Sequence, residues 1–125
     1  MKRYLFVGEK RSPMARKMNV TWQDGRLAAK HLFEALDRIG IEITNCDFKN
    51  VFREILAENV VNKSAVREIK RFDGEIIAMG RKVERVLKRE GIDHHFIYHP
   101  ATRGEVRNID KYCKHVESQL VYLKK

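Results

Sequence analysis

Apolar positions along the chain fall into two alternating patterns. Short, dense runs suit strands covered on both faces, and between them lie longer stretches whose apolar residues recur every three or four positions, as on a helix with one buried side. The first run is Tyr4-Leu5-Phe6-Val7-Gly8, followed by a polar, basic stretch over 9–23 with no clear period. Asp24 is a candidate N-cap, and residues 25–39 predict a helix with Ala28, Leu32, Ala35, Leu36 and Ile39 on one side and Gly40 as its terminator. Residues 41–46 predict a second strand. Residues 50–61 and 64–72 predict two helical pieces, with Phe52, Ile55 and Leu56, then Val66, Ile69 and Phe72, facing inward. Asp73-Gly74 marks a turn into a third strand over 75–79, ended by Gly80. Residues 81–90 predict a helix with Val83, Val86 and Leu87 inward and Gly91 as its stop. A fourth strand over 94–98 precedes a final helix over 105–123, with Val106, Ile109, Cys113, Val116, Leu120 and Leu123 on one stripe.

Strands separated by helix-length crossovers imply parallel pairing through right-handed connections. The expected fold is therefore α/β in three layers, a four-stranded parallel sheet flanked by helices. With no linker, repeat or low-complexity tract, residues 1–125 form one expected domain.

Composition narrows the function classes. A chain of 125 residues, 43% hydrophobic and 34% charged, suits one packed core and argues against disorder. No apolar run approaches the roughly 20 residues that span a bilayer. The apolar start gives way at once to Glu9-Lys10-Arg11, too early for an export signal, so the expectation is a cytoplasmic protein with no membrane partner. Cys46 and Cys113 are the only cysteines and lie far apart, so two buried, reduced thiols are expected, with no metal and no cofactor. The net charge of +9, from 26 Lys and Arg against 17 Asp and Glu, favours a polyanionic partner.

Ligands of open parallel sheets bind outside the carboxyl ends of the strands. On the boundaries above, that edge carries Gly8-Glu9, Asn45, Gly80 and His99-Pro100. A carboxylate, a carboxamide, a glycine permitting close approach and an imidazole suit the reading of a nucleobase edge and the polarisation of a base carbonyl. His94 and His95 fall at the opposite edge and read as structural, while His31 and His115 lie on helices without a motif. Arg81 and Lys82, at a helix start, read as a solvated face.

Four segments in this order carry a resemblance: Gly8-Glu9, Trp22-Gln23-Asp24-Gly25, Ile43-Thr44-Asn45 and Tyr98-His99-Pro100-Ala101. The pattern resembles the uracil-DNA glycosylase superfamily, and Ile76-Ile77-Ala78-Met79-Gly80 is similar to that family's third strand. The likeness runs over about residues 4 to 104, and its specificity lies in the order of short motifs. It implies a sheet order of 2-1-3-4. It also implies that His99 hydrogen-bonds the departing base, that Asn45 reads its Watson–Crick edge and that Trp22 or Phe48 stacks on it. Gly8, Glu9 and Ser12 would position water and contact phosphate.

The activity so implied is monofunctional hydrolysis of the N-glycosidic bond of uracil, or a modified uracil, flipped out of single- or double-stranded DNA by a monomer, as in DNA repair. A non-catalytic DNA- or nucleobase-binding module, or a glycosylase for another base, is the alternative. Lys10, Arg11, Arg16, Lys17, Arg103 and Arg107 are the expected DNA-binding rim, joined by Ser12. The chain departs from the family where Gly8-Glu9-Lys10-Arg11-Ser12-Pro13 replaces a GEAPG-like motif, with no aspartate two residues after Gly8. It also lacks the iron–sulfur cysteines of the similar branch. Ala101-Thr102-Arg103-Gly104 stands where the family carries a bulky apolar residue.

Overall fold

A computed structural model of the chain describes residues 2–54, 58–101 and 108–124. Strand β1 (Tyr4–Gly8) is buried along its whole length, as an unbroken apolar run requires when helices cover both faces. It pairs in parallel with β2 (Cys46–Asn50) on one side and β3 (Glu75–Met79) on the other, and β3 pairs in parallel with β4 (His95–Ile97). The strand order is β2-β1-β3-β4, the expected arrangement.

The two-residue period of the strands divides the core. Tyr4, Phe6, Ile77, Met79 and Ile97 face helices α2 (Ala28–Ile39) and α5 (Ile109–Leu120), meeting Leu32, Leu36, Tyr112 and Val116. Leu5, Val7 and Ala78 face α3 (Lys63–Lys70) and α4 (Arg81–Arg89), meeting Val66, Ile69, Val83 and Leu87. Three layers result. The helix over α1 (Pro13–Met18) belongs to neither core and buries no residue. Cap chemistry makes it: Ser12 Oγ accepts from the Ala15 amide at 3.1 Å, and Pro13 sits at the first helical position.

Several boundaries differ from the sequence expectation. The second strand runs over Cys46–Asn50, and residues 43–45 form a 3-10 turn before it. Asn45 therefore lies at the amino edge of the sheet, opposite His99, and cannot read a base at the carboxyl edge. The cause is that β2 is an edge strand, half-buried except at Cys46, so Asp47, Lys49 and Asn50 hide its strand character. The helix expected over 50–61 is also absent from the described residues. Val51 and Phe52 continue away from β2, and Phe52 bridges antiparallel to Val61; Ile55 and Leu56 lie outside the described residues. Asp24 closes a 3-10 turn (Trp22–Asp24) by accepting from the Thr21 amide at 2.7 Å, while α2 begins only at Ala28. Residues 102–107 of the expected final helix, Val106 among them, lie outside the described residues.

Candidate active site

Gly8 ends β1 directly beside Asn50, which ends β2. A Cβ on Gly8 would stand 2.8 Å from Asn50 Oδ1 and 3.0 Å from the Trp22 indole, so only glycine admits both. The indole Nε1–H donates to Asn50 Oδ1 at 2.9 Å. Its ring stacks on Phe48 with centroids 6.3 Å apart and planes 13° from parallel. Phe48 in turn stacks on Phe6 and Phe33 at 5.8 and 5.9 Å. Trp22 is thus the outermost ring of an aromatic column that starts in the core, and of the two stacking candidates it alone reaches the cleft described below.

His99 meets Trp22 edge-on, with ring centroids 5.7 Å apart. The preceding residue is pinned from both sides by α5: the Tyr98 amide donates to His115 Nε2 at 2.9 Å, and the Tyr112 hydroxyl donates to the Tyr98 carbonyl at 2.9 Å. Pro100 further biases His99 to an extended backbone. The Ala101 amide donates to His99 Nδ1 at 3.0 Å. Nδ1 must then carry the lone pair, which assigns the proton of the neutral ring to Nε2. Burial pushes the imidazole below its ordinary pKa, opposed by the charge of Glu9, so the ring is neutral near pH 7.

A cleft of about 270 Å³ opens in front of these two rings. Met14 of α1, Arg26, Leu27 and Lys10 line it as well. Gly8, Glu9 and Asn50 do not line it; the indole covers Gly8 and Asn50. This arrangement supplies a flat stacking wall and one oriented hydrogen-bond donor in a largely apolar recess.

The residues of the expected basic rim divide by what holds them. Arg11 grips Glu54 through two bonds, at 2.5 and 2.8 Å, and reaches toward the Val20 carbonyl. That pair holds the Glu54 carboxyl below its ordinary pKa and raises the guanidinium's, so Arg11 ties α1 to the segment after β2. Arg16 donates to the Glu54 carbonyl at 3.4 Å and Lys10 to the Glu58 carbonyl at 3.3 Å. Ser12 uses its hydroxyl as the α1 cap. Lys17 is exposed in the last turn of α1. Arg103 and Arg107 lie outside the described residues.

Arg26 and Asn50 were missed from sequence. Asn50 would have been found by ending the second strand at its last β-compatible residue; Arg26 carries no such signal. Cys46 and Cys113 are free and buried, and burial pushes the Cys46 thiol up to about 12. Among the described residues no three His, Cys, Asp or Glu side chains gather as a metal site, and no helix is long and apolar enough to cross a membrane. No family model matches the chain, and no curated protein matches it.

Proposed function

We propose that this protein is a monofunctional DNA glycosylase acting on uracil or a modified uracil. The observation that carries the reading is the polarity of His99. Its Nδ1 is engaged by the Ala101 amide, leaving Nε2–H as a donor beside the Trp22 ring at the wall of the cleft. The target base must leave the stack before an enzyme reaches its glycosidic bond. In this reading the flipped base stacks on Trp22 and its carbonyl accepts from His99. Bond cleavage develops negative charge on the base, and a donor fixed beforehand stabilises that charge without reorganisation. Glu9, close enough to bias His99, favours the cationic sugar and steers water. Lys10, Arg16, Lys17 and Arg26 draw in the phosphates of single- or double-stranded DNA. The protein works inside the cell as a monomer.

One observation favours a second reading, a nucleobase-binding module without turnover. Asn50, the carboxamide at the carboxyl edge, has its Oδ1 engaged by the indole N–H and does not line the cleft. Single-turnover assays on uracil- and hydroxymethyluracil-containing strands separate the two. Under the glycosylase reading, His99→Ala lowers the excision rate by about 100-fold with little loss of DNA affinity. A wild-type protein that excises neither base, while His99→Ala abolishes binding, establishes the module instead.

A further inference from the structure

The two helical layers carry their charge differently. Helices α2 and α5, over one face of the sheet, hold four Lys and Arg against four carboxylates. Opposite signs meet there: Arg38 reaches Glu34 at 3.7 Å on its own helix and Asp110 at 2.7 Å on the other. Helices α3 and α4, over the opposite face, hold eight Lys and Arg against two carboxylates, Glu68 and Glu84. Both carboxylates are already engaged, Glu68 by Lys49 of β2 and Glu84 by Arg81 at 3.0 Å. Lys63, Arg67, Lys82, Arg85, Lys88 and Arg89 are exposed and make no ion pair with any described residue.

The stability of the helices does not explain this charge. Lys63 and Arg67, Arg81 and Arg85, and Arg85 and Arg89 are like charges four residues apart, a spacing that destabilises a helix. Cations complement the dipole in a helix's last turn, yet Lys63, Arg81 and Lys82 stand in first turns. The two charged rows also lie side by side. Val66 and Ile69 beneath α3 pack in one core with Val83, Val86 and Leu87 beneath α4, and Lys70 reaches Glu90 at 3.4 Å where the two helices end. A face that repels itself suits a partner of the opposite charge.

The rest of the face names that partner's chemistry. None of the exposed large apolar side chains lies on α3 or α4, so the face offers nothing to insert into a bilayer. Neither helix carries an aromatic residue on which the bases of a single strand would stack. Repeated point charges without base readers match the phosphates of a duplex, whose contacts fix position and carry no sequence information. We infer that the outer face of α3 and α4 binds the backbone of duplex DNA without regard to sequence. It is separate from the cleft, which no residue of α3 or α4 lines. In naming DNA the inference rests on the reading proposed above. It adds a second hold on the polymer, by which the protein stays on undamaged DNA while the cleft is empty.

The test titrates a labelled, uracil-free duplex by fluorescence anisotropy over a range of salt concentrations. Replacing Arg67, Arg85 and Lys88 together with Ala removes three charges from the face, and the loss of like-charge neighbours leaves Tm equal or higher. This variant should bind about ten-fold more weakly, with a salt slope smaller by about three. Replacing Lys30, Lys111 and Lys114 with Ala takes the same charge from the balanced layer and should change the slope by less than about one. Equal slopes for the α3/α4 variant and wild type overturn the surface, whatever the cleft does. Equal losses in the two triple variants overturn it as well, because net charge alone then accounts for both. A loss confined to the α3/α4 variant, in a protein that excises neither uracil nor hydroxymethyluracil, keeps the surface and overturns the glycosylase reading. Tighter binding to phosphatidylserine vesicles than to duplex, lost in the α3/α4 variant, overturns the DNA assignment and gives the face to a membrane.

Discussion

The two edges of the sheet treat histidine in opposite ways. At the amino edge, His95 Nε2 meets Glu75 at 2.7 Å and Nδ1 meets the Tyr122 hydroxyl at 3.0 Å. His94, just before it, is likewise bonded through both nitrogens, to the Ile92 carbonyl and to Glu84. Arg3 and Asp47 close the same edge with a 2.6 Å ion pair. At the carboxyl edge, among the described residues His99 is bonded through one nitrogen only, and its ring lines a cleft shared with exposed apolar side chains and cations. Saturated polar groups stabilise what they join; a group positioned by one bond and left with another to give is arranged for a ligand.

The sharpest way to break this contrast is to exchange the roles. His99→Ala should abolish most activity while leaving thermal stability nearly intact. His95→Ala should lower Tm, because Glu75 and Tyr122 both lose their partner, and leave the excision rate within about two-fold. An equal loss of activity in both variants would erase the distinction between the edges. Gly8→Ala comes next in size. Its new methyl collides with the Trp22–Asn50 pair, so the indole must shift, and the emission maximum of the only tryptophan should move together with a loss of activity.

Smaller effects sharpen the electrostatic side. Burial lowers the pKa of His99, so the neutral, donating ring persists below the ordinary imidazole value near 6.5, and the acid limb of the rate profile should fall below it. Glu9 favours the imidazolium, and Glu9→Gln should therefore move that limb to still lower pH; a shift upward would contradict the assignment. The same depression has a stability consequence. As pH drops through the ordinary value the unfolded chain takes up the proton first, so stability falls with acidification below about 6.5. Smallest is the division within the basic rim. Lys17→Ala should reduce the salt slope of DNA binding by about one, whereas Arg11→Ala should lower Tm and leave the slope nearly unchanged. Equal slopes for wild type and Lys17→Ala would remove α1 from the interface.

What was legible in the sequence follows burial. β1 and β3 lie in the middle of the sheet, and their dense apolar runs mark both ends of each strand correctly. β2 lies at the edge, where Asp47, Lys49 and Asn50 are tolerated, and the apolar signal slid to the approach segment around Ile41, which is itself buried in the core. That slip of a few residues carried the carboxamide assignment to Asn45 at the wrong edge. The helix over α1 buries nothing, so no periodicity announced it, although Ser12-Pro13 did spell its cap. His99 and Trp22, singled out from the order of short motifs, both line the cleft, a placement that does not depend on where the strands were bounded. The hydrogen bond from Trp22 to Asn50 and the ion pair between Arg11 and Glu54 join residues 28 and 43 positions apart, and no local pattern encodes such distant partners.

The column of rings from Phe6 and Phe33 through Phe48 to Trp22 gives the site an unusual kind of adjustability. A recognition surface carried on loops is retuned by changing the residues that touch the ligand. Here the tilt of the outermost ring is set by rings behind it, so a substitution such as Phe33→Leu alters the shape offered to a ligand without touching the cleft. Selection for a well-filled interior and selection for a particular ligand then act on the same side chains, and a neutral change in the one becomes a change of preference in the other.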